Sequence, residues 1–301
     1  MQDKASVTSL MAAFGRAYHN ENAKNPIFRD TMAKALMTED EYRAIGGYIV
    51  SGIDFFAPDK KGTFRDDADA LRYLVNTQIA PTPLAHAAWC EESLRIAVHT
   101  GVRQYVILGA GMDTFAYREP YFCAQYPVFE VDHPQTQADK RQRLRSAGIN
   151  IPEGVRYVPI DFTCDDPFAA LLSSGYDPHK KTFFSWLGVS MYLDRAAIER
   201  LLDEVASHAA KGSSLVFDYA SAGLFLSEDR RGRNMLAMAQ AGGEEMRASF
   251  DPMSLELLAA DHGFLVYEHL MTADIQKRYF DGRDDDLSAF PCICFAHAVV
   301  Q

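Results

Sequence analysis

The sequence contains no apolar run approaching the roughly 18 residues a membrane-spanning helix needs. Its opening Met1-Gln-Asp-Lys lacks the basic-then-apolar layout of a signal peptide. Positive charge is in short supply: 30 Lys and Arg face 41 Asp and Glu, for a net charge of −11. That balance argues against nucleic-acid backbones and anionic membranes as partners, since both demand clustered Lys and Arg. Cysteine is scarce as well. The five present are odd in number and widely spread, which suits a reducing compartment better than a disulfide framework, so the cytoplasm is the expected location. There is no Gly-Lys-Ser/Thr of a phosphate-binding loop, no internal repeat and no low-complexity segment. What remains is an ordinary globular composition, 48% hydrophobic and 24% charged, on a 301-residue chain long enough to bury a sizeable core.

The first hundred residues carry helical periodicity and little strand signal. Val7, Leu10, Met11 and Phe14 stand at helix spacing, and Met32, Leu36 and Met37 form a second apolar stripe. Further helices are expected over 39–53, 68–79 and 84–99, with Pro58-Asp-Lys-Lys-Gly-Thr as a turn and Gly101 as the last stop. From Val102 the pattern changes to strands alternating with helices. Strands are expected at 105–108, 128–131, 156–160, 182–186 and 214–218. Helices start at Pro134 and after Asp194, which is placed as an N-cap. Residues 220–250 read as an insertion with one helix, and Arg230-Arg-Gly-Arg233 as a solvated loop. Two last strands, 264–270 and 293–300, should pair antiparallel. The predicted architecture is therefore α/β: a Rossmann-like, seven-stranded sheet of class I methyltransferase type with an antiparallel last strand. A helical cap over 1–100 would cover a core over 101–301.

The stretch that carries the chemistry is Tyr105-Val-Ile-Leu-Gly-Ala-Gly-Met-Asp-Thr114. A buried strand ending in Gly109-Ala110-Gly111 permits a tight turn and close approach of a ligand to the backbone. Some twenty residues on, a second strand ends in carboxylates, Glu130 and Asp132, either of which can accept from a ribose diol. A dinucleotide fingerprint would need glycine or alanine at position 114; Thr114 is there instead, which favours a ligand without a pyrophosphate. S-adenosylmethionine fits these requirements. Gly109, Ala110 and Gly111 would cradle its methionine end, and Asp161 after the third strand would accept from the adenine amine. Phe162 and Trp186 are expected as apolar walls for the base.

Leu108-Gly-Ala-Gly-Met-Asp-Thr114, Phe129-Glu-Val-Asp-His-Pro134, Val158-Pro-Ile-Asp-Phe162 and Gly188-Val-Ser-Met-Tyr-Leu193 occur in this order with proper spacing. Together with the leader segment Phe14-Gly-Arg-Ala-Tyr-His19 they resemble the leucine carboxyl methyltransferase family, and its bacterial branch of small-molecule O-methyltransferases, over nearly the whole chain. The resemblance implies S-adenosylmethionine dependence and methylation of carboxylates. It also implies Gly109 and Gly111 at the methionine end, Asp132 on the ribose, and Asp161-Phe162 at the adenine. Two positions depart from the family pattern. His86 stands where the family has an arginine for the cofactor carboxylate, and Trp186-Leu187-Gly188 replaces Ala-Glu-Gly. His86 and Leu187 are thus the candidates for the opposite wall of the cofactor site.

Tyr192, and Tyr18 with His19 from the leader, are candidate substrate contacts. Cys292, Cys294 and His297 do not share a strand face, so no metal is expected. The reading is an O-methyltransferase acting by in-line displacement on a small molecule, with no nucleic-acid or membrane partner. A carboxylate acceptor is ionised at neutral pH and needs no base, whereas a hydroxyl does. No His–acid pair is visible from spacing, so the acceptor is expected to be a carboxylate or an acidic hydroxyl, and no catalytic base is named. Two other readings stand beside it: a cofactor-binding regulator without turnover, and a nicotinamide oxidoreductase, against which Thr114 counts.

Overall fold

The structure, a computed structural model, describes residues 7–162 and 165–301. Seven strands form one sheet: β1 (Gln104–Leu108), β2 (Val128–Asp132), β3 (Val155–Pro159), β4 (Thr182–Trp186), β5 (Ser214–Ala220), β6 (Phe264–Leu270) and β7 (Ile293–Val300). Their order is β3-β2-β1-β4-β5-β7-β6. The first five pair in parallel, and β7 runs antiparallel between β5 and β6. β1, β4 and β5 are buried along their whole length, as parallel strands covered on both faces must be. Alternation within them sorts side chains to two cores. Tyr105, Ile107, Phe183, Val216 and Ala220 face the leader helices, while Val106, Leu108, Phe184, Trp186, Leu215 and Phe217 face the other layer.

The second layer holds the helices Pro167–Ser173, Arg195–His208 and Pro252–Asp261, whose apolar stripes (Phe168, Ile198, Leu202, Val205, Leu255, Leu258) fill that core. Asp194 does cap its helix, accepting the Ala197 N–H at 2.8 Å. The first layer is built by the leader. Helices Val7–Asn22, Glu39–Ser51, Asp67–Leu74 and Pro81–His99 bury Phe14, Ile49, Leu74 and Trp89 in one continuous core with the sheet. A capping box on Thr38 and Glu41 starts the second of these. The apolar stripe at Met32, Leu36 and Met37 does not make a helix. Only a 3₁₀ turn, Lys34–Leu36, forms there, because the Asp30 carboxylate takes the Met32 and Ala33 N–H groups and bends the chain.

The segment between β5 and β6 also differs from expectation. Arg230–Arg233 is the first turn of a helix, Arg230–Ala241, and not a loop. Arg231 lies 4.6 Å over the Phe290 ring and donates to Ser288 Oγ at 2.9 Å. Its burial there lowers its pKa to about 10. Asn234 ties the same helix to the Phe56 carbonyl of the leader, so leader and insertion close over the sheet from two sides. Among the described residues no helix is long and apolar enough to cross a membrane.

Candidate active site

A cavity of about 560 Å³ opens at the C-terminal ends of β1, β2, β4 and β5, beneath the leader and the insertion. That edge is where open parallel sheets bind ligands. Gly109, Ala110, Gly111, Asp132, Phe162, Leu187, His86 and Tyr192 all line it. The glycines are required by their backbone: φ is 71° at Gly109 and 45° at Gly111. There is also no room for a side chain. A Cβ on Gly109 would stand 2.5 Å from Val189 Cγ2, and one on Gly111 would stand 2.9 Å from Ser9 Cβ in the leader.

Asp132 ends β2, where its Oδ2 accepts the Gly111 N–H and its Oδ1 the His133 N–H at 2.6 Å. Burial raises the carboxyl above its usual range, against the pull of those two donors. Each oxygen still has a lone pair for a further donor, such as one hydroxyl of a diol. Glu130, the alternative ribose ligand, is spent elsewhere. It is fully buried, 2.8 Å from Lys140 Nζ and 3.0 Å from the Tyr117 hydroxyl. Burial raises its carboxyl too, with Lys140 opposing.

Four expected residues are not among those lining the cavity. Trp186 has the wrong parity on β4: its neighbours Ser185 and Leu187 face the cavity while the indole is fully buried in the opposite core. Asp161 is not among the lining residues, whereas the next residue, Phe162, is. Tyr18 packs within the leader, 6.1 Å from the Phe14 ring. His19 is likewise turned inward, its Nε2 accepting the Ile27 N–H at 2.9 Å.

Several lining residues were not foreseen. Thr114 is buried and donates to Asp30 Oδ2 at 2.8 Å. Arg16 reaches the same carboxylate at 2.8 Å and the Met112 carbonyl at 2.7 Å. Arg118 donates to Thr114 and pairs with Glu91 at 2.5 Å. Burial disfavours charge on Asp30, yet Arg16 and Arg118 hold its carboxyl below the usual range. This network locks the leader onto the glycine turn and leaves two guanidiniums lining the cavity beside it. The second unforeseen feature is a His–acid pair. His86 Nδ1 lies 2.9 Å from Asp218 Oδ2, and Asp218 Oδ1 accepts the Gly188 N–H at 2.6 Å. A carboxylate near the end of β5 was visible in the sequence; its histidine, 132 residues away, was not. Finally, six of the eleven methionines (Met11, Met112, Met191, Met235, Met238 and Met246) line this one cavity.

The residues present suit S-adenosylmethionine: a glycine turn with free approach, a carboxylate with spare acceptor capacity, cations near the turn, and apolar Phe162 and Leu187. Strand order, glycine turn and acid-tipped β2 are those of a class I methyltransferase fold, and the family and relatives make the protein an S-adenosylmethionine-dependent methyltransferase. Residues 9–206 match the leucine carboxyl methyltransferase family, and the chain belongs to it. YktD of Bacillus subtilis (strain 168), provisionally named an S-adenosyl-L-methionine-dependent methyltransferase, is 41% identical over 99% of both chains. A relative from Mycobacterium marinum with the same provisional name is 32% identical over 73% of this chain and 67% of its own. A crystal structure from Thermobifida fusca YX, provisionally described as a methyltransferase, superposes with a TM-score of 0.60. It covers 99% of this chain and 96% of its own at 16% identity, a likeness of fold.

Proposed function

We propose that the protein methylates an oxygen of a small molecule, a carboxylate or an acidic hydroxyl, in the cytoplasm. The observation that carries this reading is the single cavity in which the Gly109–Gly111 turn and Asp132 share walls with an apolar, methionine-rich chamber under the leader and insertion. Its volume lies in the range of small-molecule sites, and a roofed cavity suits a compact acceptor better than a polymer. Asp132 would take the ribose, Phe162 the adenine face, and Gly109, Ala110 and Gly111 the methionine end. Arg16 or Arg118 would supply the cation that His86, committed to Asp218, does not. When bound, S-adenosylmethionine supplies an electrophilic methyl group on its sulfonium. The protein's own work is alignment of the acceptor and exclusion of water.

Calorimetry with S-adenosylmethionine and with NAD tests the cofactor. Release of S-adenosylhomocysteine with a panel of apolar carboxylic acids, phenols and amines tests the acceptor. Oxygen methylation with no NAD binding is expected. Turnover of amines alone would overturn the oxygen assignment.

A further inference from the structure

Resting on the small-molecule O-methyltransferase reading, we propose that the acceptor is a hydroxyl on an apolar scaffold, with His86 as its general base and Asp218 as the positioning residue. The Asp218 side chain is fully buried, and its Oδ1 is occupied by the Gly188 N–H. A buried carboxylate needs a partner for each oxygen, and His86 Nδ1 lies 2.9 Å from Oδ2. In the proposed role Nδ1 donates its proton to that carboxylate and the lone pair sits on Nε2. His86 lines the cavity. Gly188, at φ 69°, sits beside it, with a Cβ position 4.0 Å from His86 Cε1.

The dyad therefore meets the cavity at the loop after β4, between the glycine turn and the apolar chamber. A carboxylate acceptor needs no base, so it would give the dyad no role. A hydroxyl acceptor needs its proton removed as it attacks. The acceptor O–H proton passes to His86 Nε2 while its oxygen forms the new bond to the methyl carbon. The electron pair of the broken carbon–sulfur bond stays on sulfur, releasing S-adenosylhomocysteine. The resulting imidazolium is stabilised by Asp218 and returns its proton to solvent. The chamber wall defines the rest of the acceptor. Met191, Met235, Met238, Met246, Phe290 and Ile293 are apolar, and the four thioethers are flexible enough to mould around varied rigid ring systems.

The test compares the wild type with His86→Gln and Asp218→Asn on three probes: 2-naphthol, 2-naphthoic acid, and a dinitrophenol already ionised at neutral pH. Both variants should bind S-adenosylhomocysteine within about threefold of wild type by calorimetry. They should lower kcat for 2-naphthol by about 100-fold or more with little change in KM, the scale of a lost general base. Methylation of the ionised phenol should fall far less. Nitrogen-15 spectra of the ligand-free protein should show the His86 proton on Nδ1, and Asp218→Asn should disturb that tautomer. Should Asp218→Asn fail to fold, His86→Gln carries the comparison, because His86 lines the cavity. Four results overturn the proposal: loss of S-adenosylhomocysteine affinity by tenfold or more in His86→Gln, equal losses on both phenols, turnover of 2-naphthoic acid alone, or no phenol methylated by the wild type. A wild type that does not bind S-adenosylmethionine at all would instead sink the reading beneath it.

Discussion

Replacing Gly109 by alanine adds one methyl group to the turn after β1, and two separate consequences follow from where that methyl goes. With φ at 71° the residue is in the left-handed region, which costs an L-residue about 1–2 kcal/mol. The Cβ would also stand 2.5 Å from Val189 Cγ2, an overlap whose relief by local movement costs about 1–3 kcal/mol. Gly109→Ala should therefore lower stability by about 2–5 kcal/mol, a large share of the total for a typical domain. The two contributions separate in a double-mutant cycle. Val189→Ala removes both Cγ atoms and leaves Cβ at 3.6 Å, an ordinary contact, while costing about 1 kcal/mol itself because the side chain is half-buried. In that background Gly109→Ala should cost only the conformational part, about 1–2 kcal/mol, giving a favourable coupling of about 1–3 kcal/mol. Urea unfolding of the four proteins, compared at constant m-value, measures it. Strict additivity would refute the argument, since it would mean the turn moves away from Val189 at no cost.

Asp132→Ala should weaken S-adenosylhomocysteine binding by about 1–3 kcal/mol, the scale of a lost charge-assisted hydrogen bond, and unchanged affinity in calorimetry would remove Asp132 from the ribose. His19 tests the acid limb of stability. Burial, reinforced by Arg283, lowers its pKa to about 4, consistent with Nε2 accepting from Ile27. The unfolded chain takes up that proton near pH 6.5, so this contribution is whole above 6.5 and is lost as pH falls from 6.5 towards 4, by up to about 3 kcal/mol. His19→Gln should flatten the urea midpoint over that window. A slope equal to the wild type's would place the loss elsewhere, His297 being lowered to about 4 by its own burial. Glu130→Gln strands the buried Lys140 ammonium and should cost about 3–5 kcal/mol in thermal or urea unfolding, part of it recovered by adding Lys140→Met. A loss under about 1 kcal/mol would show the lysine deprotonates or finds another partner.

The sheet was legible because its signals are local. β4, β6 and β7 begin and end where β-branched and aromatic runs meet turn residues, and the others differ from expectation by one or two residues. The leader was less so. Met32, Leu36 and Met37 stand at helix spacing, yet Asp30 withdraws two N–H groups from any helix there, and that competition depends on Arg16 and Arg118 holding Asp30 charged. The arginines at 230–233 misled for a similar reason. Charge alone suggests solvent, but Arg231 has an aromatic ring and two backbone carbonyls waiting 57 and 58 residues away.

The site divides along the same line. Gly109, Gly111 and Asp132 could be read because each sits at a strand end in a short motif, and strand parity alone was enough to reject Trp186 once β4 was placed. The two departures from the family pattern read in the sequence as separate deficits, an arginine lost at 86 and an acid lost at 187. In the fold they belong to one unit. His86 is bound by Asp218, and the same carboxylate holds the N–H of Gly188, next to Leu187. An acid supplied from β5 thus serves the loop after β4 from behind, with its charge directed at a histidine and not presented bare to the cavity. Restoring the family pattern one residue at a time is then expected to fail. His86→Arg would fill part of the cavity and pair with Asp218, and Leu187→Glu would set a second carboxylate near the first. Each should lower turnover, and His86→Arg should do so without improving S-adenosylmethionine affinity by calorimetry. A His86→Arg protein with tighter cofactor binding and intact turnover would show instead that position 86 serves the cofactor carboxylate and that its histidine is no base.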